Sequence, residues 1–394
     1  MKNCVIIAEY NPFHNGHKWQ IEKARQLGAK HITVIMSGNY VQRGSPAILP
    51  KDIRTKCALS QGVDLIIELP TPYAVSTAET FAKSGIHLAN SLNFIDSIVF
   101  GAETPDTNIL FEIASFLLTE QFNEELKENL NKNISYAQAR AITCEKFISG
   151  SKEILSLPNN ILAIEYCKAI ISTNSKIKPY PLVRIGTSHH SKKENGIFAS
   201  ASYIRNNHLE ECIHLMPNLC YNLLIKSKKN GRMLNYTKYE LASISRLKTV
   251  TPTNFTNIAD VDNGLKFAIC KAISKSTNLE EIFFNAKSKR YALSRIRRII
   301  LSQVIGITKP IPKLPPYIRI LGANKNAFAL LGENRKNITL PYSHKLSYLK
   351  SVNDDCECIA SMENNFTDFY NIITDKPLIS GEEYRYQLIK GENQ

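Results

Sequence analysis

The residues that first invite chemistry are His14-Asn15-Gly16-His17. Two imidazoles three positions apart share one face of a starting helix. A helix start also presents unpaired backbone N–H groups and the positive end of the helix dipole. Gly16 removes a side chain where a ligand oxygen has to come close. Such a set of donors suits a phosphate. Ser200, Ser202 and Arg205 form a second set, with hydroxyls ahead of an Ile-Arg pair at another helix start. Each set also has a plainer use: histidines near helix starts are often surface residues, and serine is a routine N-cap.

The elements around these residues favour the phosphate reading. The apolar run Cys4–Ala8 predicts a buried strand, and Asn11-Pro12 breaks it. The helix that follows carries Ile21, Ala24 and Leu27 on one face. Further strands are predicted at His31–Met36, Asp64–Glu68, Phe94–Phe100 and Pro181–Ile185. Helices are predicted at Lys51–Gln61, Ser76–Ser91 and Ile161–Ser172. This alternation predicts an α/β fold with a Rossmann-like parallel sheet. Ligands of such sheets sit beyond the carboxyl ends of the strands. The tips Asn11–His17, Ser37–Asn39, Glu68–Pro70 and Gly101–Glu103 all fall on that edge. Gly101 would let a base or ribose lie against backbone. Asn159 or Asn160 follows Pro158 as a helix cap, and Arg184 ends a strand where it can grip phosphate with two N–H groups.

After about residue 210 helical periodicity dominates. We expect a nucleotide-binding catalytic unit over 1–205 and a mostly helical, basic unit over 206–394. Within the second, 287–304 reads as one helix with an apolar stripe of Leu293, Ile296, Ile300 and Val304. Lys287, Lys289, Arg290, Arg295, Arg297 and Arg298 fall mainly on its other faces. A short strand is expected at Ile318–Leu321.

Composition narrows the partners. The chain has 394 residues, with 49 Lys and Arg against 35 Asp and Glu, a formal charge of +14 that favours polyanions. No apolar run approaches the roughly 18 residues of a spanning helix, and no signal peptide precedes the first strand. The expectation is a cytoplasmic protein with no membrane role. Nine scattered cysteines suggest reduced, mostly buried thiols. No acidic cluster marks a metal cage, and the adjacent His189 and His190 sit in a polar loop, so no protein metal ligand is assigned. No obligate protein partner is evident.

The motifs E-Y-N-P-F-H-N-G-H (9–17), M-S-G-N-Y-V-Q-R-G-x-P-A (36–47), D-L-I-I-E-L-P (64–70), F-G-A-E (100–103), L-P-N-N-I-L (157–162) and S-K-R-Y-A-L-S-R-I-R-R (288–298) support a closer reading. The chain resembles the nucleotidylyltransferase superfamily with H-x-G-H signatures, and within it the bacterial tRNA(Met) cytidine acetate ligase family. The resemblance runs over nearly the whole chain. It implies an enzyme that forms N4-acetylcytidine at the wobble position of elongator tRNA(Met), in the anticodon loop, from acetate and ATP. It implies acetyl-adenylate as intermediate, with release of pyrophosphate and AMP, and Mg²⁺ arriving with the ATP. It implies ATP contacts from Ile7, Ala8, Glu9, Tyr10, Asn11, Pro12, Phe13, His14, Asn15, Gly16, His17, Lys18, Trp19 and Gln20, and from Gly101, Asn159 and Arg184. His14, His17 and Lys18 are the expected catalytic residues. An adenylyl- or cytidylyltransferase acting on a small phosphorylated metabolite would share the motifs of 1–205. That alternative leaves the basic helical half without a purpose. A non-catalytic RNA-binding protein on a retained nucleotide fold is opposed by the intact His14, Gly16, His17 and Arg205.

Overall fold

The structure is a computed structural model, and it describes residues 1–130, 134–183, 196–288 and 290–391. Ten strands are present among them: β1 (Asn3–Ala8), β2 (His31–Ser37), β3 (Tyr40–Val41), β4 (Ser45–Pro46), β5 (Leu65–Leu69), β6 (Ser97–Ala102), β7 (Lys178–Val183), β8 (Ile318–Ala323), β9 (Tyr342–Ser343) and β10 (Ile389–Lys390). The main sheet runs β10-β8-β5-β2-β1-β6-β7, with β9 beside β8. The five strands β7-β6-β1-β2-β5 are mutually parallel, as the strand–helix alternation predicts. β8 adds to them antiparallel, with a register shift between Ile66 and Ile67. The sheet thus draws strands from both sides of residue 205.

Side chains alternate across the strands and feed two cores. Val5, Ile35 and Ile67 pack on one face with the Ala78–Leu92 and Pro158–Ser172 helices. Cys4, Ile6, Val34 and Ile66 pack on the other with the Asn15–Gln26 and Lys51–Ser60 helices. A third core is helical. It joins Leu265, Ile269, Ile282 and Phe283 to Ile296, Ile300 and Val304, and to Phe366, Phe369 and Tyr370 of the long Asp354–Ile372 helix.

Several elements are shifted from their expected bounds. β7 starts at Lys178 and pairs with β6 along its length, with Pro179 and Pro181 inside it. Proline reads as a breaker, yet an edge strand tolerates it because one side needs no partner. The helix expected over 287–304 spans Leu293–Ile305, and Gly306 ends it at φ 89°. The Pro158–Ser172 helix has no side-chain cap of its own. Neither Asn159 nor Asn160 caps it, because both lie inside its first turn. Glu103 caps it from the loop after β6, accepting from Asn160 N–H at 2.8 Å and Asn159 Nδ2 at 2.5 Å. None of the nine cysteines is in a disulfide, and seven of them are buried. No helix of the described residues is long and apolar enough to cross a membrane.

Candidate active site

The site begins with a sharp reversal after β1. Tyr10 takes φ 49°, left-handed backbone that a bulky residue seldom adopts, and the Asn11–Pro12 peptide is cis. Its shape is held from outside the segment. Arg54 is fully buried and donates to the carbonyls of Glu9 (2.7 Å), Ser37 (3.0 Å), Leu49 (3.0 Å) and Gly38. Asn11 accepts from Ile48 N–H at 2.9 Å through its side chain and from Arg205 Nη1 at 2.6 Å through its carbonyl. Tyr10 and Phe13 are buried with ring centroids 4.8 Å apart, which anchors the turn under the first helix.

The first helix then starts on a capping box made of histidines. Gly16 N–H donates to His14 Nδ1 at 3.1 Å, and His14 N–H donates to His17 Nδ1 at 3.2 Å. A backbone N–H can only donate, so both Nδ1 atoms are acceptors. Each ring therefore carries its proton on Nε2. The two rings stack with centroids 3.7 Å apart. The head of the helix thus holds two neighbouring neutral N–H donors, their rings inclined by 28°, whose tautomers are set by backbone.

A cleft of about 850 Å³ opens at this point, at the carboxyl ends of β1 and β6. Of the expected ATP contacts it is lined by Ile7, Ala8, Glu9, Tyr10, Asn11, His14, Gly16, His17, Trp19, Gln20, Gly101 and Asn159. Pro12, Phe13, Asn15 and Lys18 are not in its wall. Pro12 and Phe13 are buried beneath it. Asn15 donates to the carbonyls of Ile197 and His214, 2.9 Å each, and Lys18 lies outside, 3.7 Å from Glu22. Arg184 and the pair His189-His190 lie outside the described residues. Ser200, Ser202 and Arg205 line the cleft, with Ser200 capping its short helix through Tyr203 N–H at 3.1 Å. The tips Ser37–Asn39 and Glu68–Pro70 share the sheet edge but contribute no wall. They join a buried charge cluster instead, where Lys51 is 2.5 Å from Glu68.

The cleft also has residues that sequence spacing did not single out. Gln42, Phe81, Phe100 and Tyr166 line it. Arg297 and Arg298 line it from the helical layer, where sequence patterning suggested an open basic face. The contact is tight because Gly44, at φ 78°, lies against their backbone: a Cβ there would come 2.5 Å from Arg298 N. Arg297 pairs with Glu280 at 3.2 Å, Arg298 with Asp260 at 3.5 Å, and Arg295 turns away to Asp260 and Asp262. Burial lowers the Arg205 pKa, with Glu9 opposing and Arg43 assisting, and burial likewise lowers that of Arg298. Both guanidiniums stay charged, since arginine starts far above neutrality. Arg43, Arg205, Arg297 and Arg298 therefore face one carboxylate, Glu9, among the described lining residues. Such a basin favours a polyanion. Among the described residues no group of three or more His, Cys, Asp or Glu is gathered to hold a metal.

A parallel sheet, a donor-bearing helix start at its carboxyl edge and a cationic cleft define an α/β enzyme of the nucleotidyl transferase type. The family model described as HIGH Nucleotidyl Transferase matches residues 1–383. A tRNA(Met) cytidine acetate ligase of Thermoanaerobacter sp. (strain X514) is 39% identical over a 406-residue alignment covering 98% of each chain. The apo form I crystal structure of Thermotoga maritima TmcAL matches with a TM-score of 0.93 and 26% identity, over 99% of this chain and 100% of that one. A form II crystal structure of the same protein, bound with alpha-thio ATP, matches with a TM-score of 0.89 at the same identity and coverage. The chain belongs to the tRNA(Met) cytidine acetate ligase family of HIGH nucleotidyl transferases.

Proposed function

We propose that the protein activates acetate with ATP and transfers the acetyl group to N4 of the wobble cytidine of elongator tRNA(Met). An acetate oxygen attacks the α-phosphorus, the bond from that phosphorus to the oxygen bridging it to the β-phosphorus breaks, and pyrophosphate leaves. N4 of the cytidine then attacks the carbonyl carbon of acetyl-adenylate, AMP leaves, and N4 gives up a proton. The observation that carries this reading is the stacked pair His14 and His17, each with its proton on Nε2 at the head of the first helix. Donors locked in place before reaction stabilise charge that builds on phosphate oxygens, each by about 2.7–4 kcal/mol. Gly101 and Asn159 are the nucleotide contacts on the far wall, and Arg205 the cation nearest the turn. Lys18 would reach a phosphate only by leaving Glu22. One carboxylate in the described wall is too few for a protein cage, which suits a Mg²⁺ held mainly by phosphates and water.

The division of labour follows the chain. Residues 1–205 supply most of the nucleotide chemistry, Arg297 and Arg298 line the same cleft, and 206–394 dock the tRNA in the cytoplasm. Lys287 and Arg290 are exposed, a few residues ahead of the cleft-lining Arg297 and Arg298 in the chain. This arrangement suits RNA phosphates approaching the same opening. Each phosphate contacted adds about −0.7 to the log–log salt slope of binding. The test is mass analysis of bulk tRNA incubated with protein, ATP and labelled acetate. Label is expected in N4-acetylcytidine, together with AMP and pyrophosphate. Pyrophosphate release that ignores acetate, with no label in tRNA, would overturn the reading.

A further inference from the structure

The cleft has two sides relative to the sheet. His14, Gly16, His17 and Gln20 lie on the side of the first helix, over the core that holds Tyr10, Phe13 and Ile21. Phe81, Phe100 and Tyr166 lie on the opposite side and belong to the other core. Under the proposed function the first side takes the phosphates and Gly101 and Asn159 hold the nucleoside, while Phe81, Phe100 and Tyr166 have no assigned contact. That side is lined by these three buried rings together with the aliphatic Ile161 and Leu162, and the Phe100 and Tyr166 centroids are 5.4 Å apart and inclined by 42°.

Glu9 stands between the two sides, one residue beyond β1. Its backbone carbonyl is held by Arg54 at 2.7 Å, and its Oε1 accepts Gln42 N–H at 2.8 Å. Gln42 is tied in turn to the Ser76 carbonyl at 3.5 Å. The carboxylate is therefore fixed through one oxygen, and Oε2 makes no hydrogen bond among the described residues. A fixed carboxylate repels acetate. It attracts an exocyclic amine, and aromatic walls suit a flat base that has left its stack.

We propose that this aromatic side of the cleft receives the target cytosine and that Glu9 is a catalytic residue: its Oε2 accepts the N4–H and takes that proton during acetyl transfer. The inference rests on the acetyl-transfer reading above. The N4 lone pair forms the new C–N bond to the acetyl carbonyl carbon. The bond from that carbon to the phosphate oxygen breaks, and AMP leaves with its electron pair. The N4 proton passes to Glu9 Oε2 and then to water. A positioned base of this kind contributes about a hundred- to ten-thousandfold in rate. Arg54, Arg205 and Tyr166 are ionisable neighbours of Glu9.

The test separates the two steps. Chemically prepared acetyl-adenylate is given to the full-length protein with tRNA(Met), and transfer is followed in a single turnover. Acetate-dependent exchange of pyrophosphate into ATP is measured in parallel. Glu9→Gln keeps an oxygen for Gln42 N–H but cannot take a proton at neutral pH. Its transfer is expected to fall at least about a hundredfold, and far more than its exchange. Transfer close to that of the unaltered protein, or an equal fall in both steps, would overturn the proposal. A second measurement needs no variant. tRNA(Met) carrying uridine at the wobble position turns a carbonyl toward the carboxylate and is expected to bind at least about fivefold more weakly. Equal affinity would also overturn it. If the unaltered protein transfers nothing to tRNA(Met), the acetyl-ligase reading itself fails.

Discussion

At the residue scale the site depends on which nitrogen of each histidine holds the proton. Free imidazole has two neutral tautomers, and here backbone N–H groups choose between them for both rings. His17 is expected to act as a donor to phosphate while neutral. His17→Ala should slow acetate-dependent pyrophosphate exchange by about a hundred- to a thousandfold. An exchange rate within a few-fold of the unaltered protein would remove His17 from the chemistry. The two rings were legible in the sequence because four consecutive residues build the motif and the helix cap together. Glu103 shows where such reading stops. Asn159 and Asn160 follow a proline, which is the pattern of a cap, yet the capping carboxylate arrives from 56 residues away.

At the element scale one interface matters most: the β3–β4 hairpin against the start of the Leu293–Ile305 helix. Gly44 closes the hairpin turn at φ 78°, and its missing side chain lets the two backbones touch. Gly44→Ala adds left-handed strain to a backbone clash that no rotamer relieves. We expect about 2–4 kcal/mol lost in denaturant unfolding. We also expect weaker nucleotide binding, since Arg297 and Arg298 would move off the cleft. Unchanged stability would show that the helix yields without cost. Sequence periodicity identified the apolar face of this helix, with Ile296, Ile300 and Val304 all buried. It did not show which wall the arginines would face, because that depends on a loop 250 residues earlier in the chain.

At the scale of the whole molecule, a buried charge cluster fastens the last third of the chain to the sheet. Lys51 and Arg319 meet Glu68 and Glu383, two cations against two carboxylates. Glu363, from the long helix, adds a third carboxyl bonded to Thr71. Burial and then the nearby Glu68 push its pKa up to about 8, so it stays protonated at neutral pH and the cluster balances. Glu383 behaves oppositely, held down to about 2 by Arg319 and Lys51 against the cost of burial.

Two measurements on this cluster follow. Arg319→Met leaves Glu68 and Glu383 facing Lys51 alone, and about 3–5 kcal/mol should be lost in denaturant unfolding. A loss under about 1 kcal/mol would mean that the surroundings neutralise the carboxylates. The second concerns pH. Between about 4.5 and about 8 the folded chain holds a proton on Glu363 that the unfolded chain has released. That contribution is complete below the unfolded value and fades as pH rises through the window. Glu363→Gln mimics the neutral carboxyl and should flatten the fall in stability across those pH values. An unaltered slope would assign it to other groups.

The sequence by itself determined the strand–turn–helix that carries His14 and His17, the alternation that makes a parallel sheet, and the apolar faces that enter its cores. All of these are local, because backbone preference and side-chain period act over a few residues. Only the tertiary structure decided that Ser37–Asn39 and Glu68–Pro70 serve a buried charge cluster rather than the cleft. The same holds for Glu9 standing between an aromatic wall and two imidazoles, and for arginines near residue 298 completing a site begun at residue 7. Those outcomes rest on charge and contact between segments far apart in the chain, and no spacing along a chain encodes a distance across a fold.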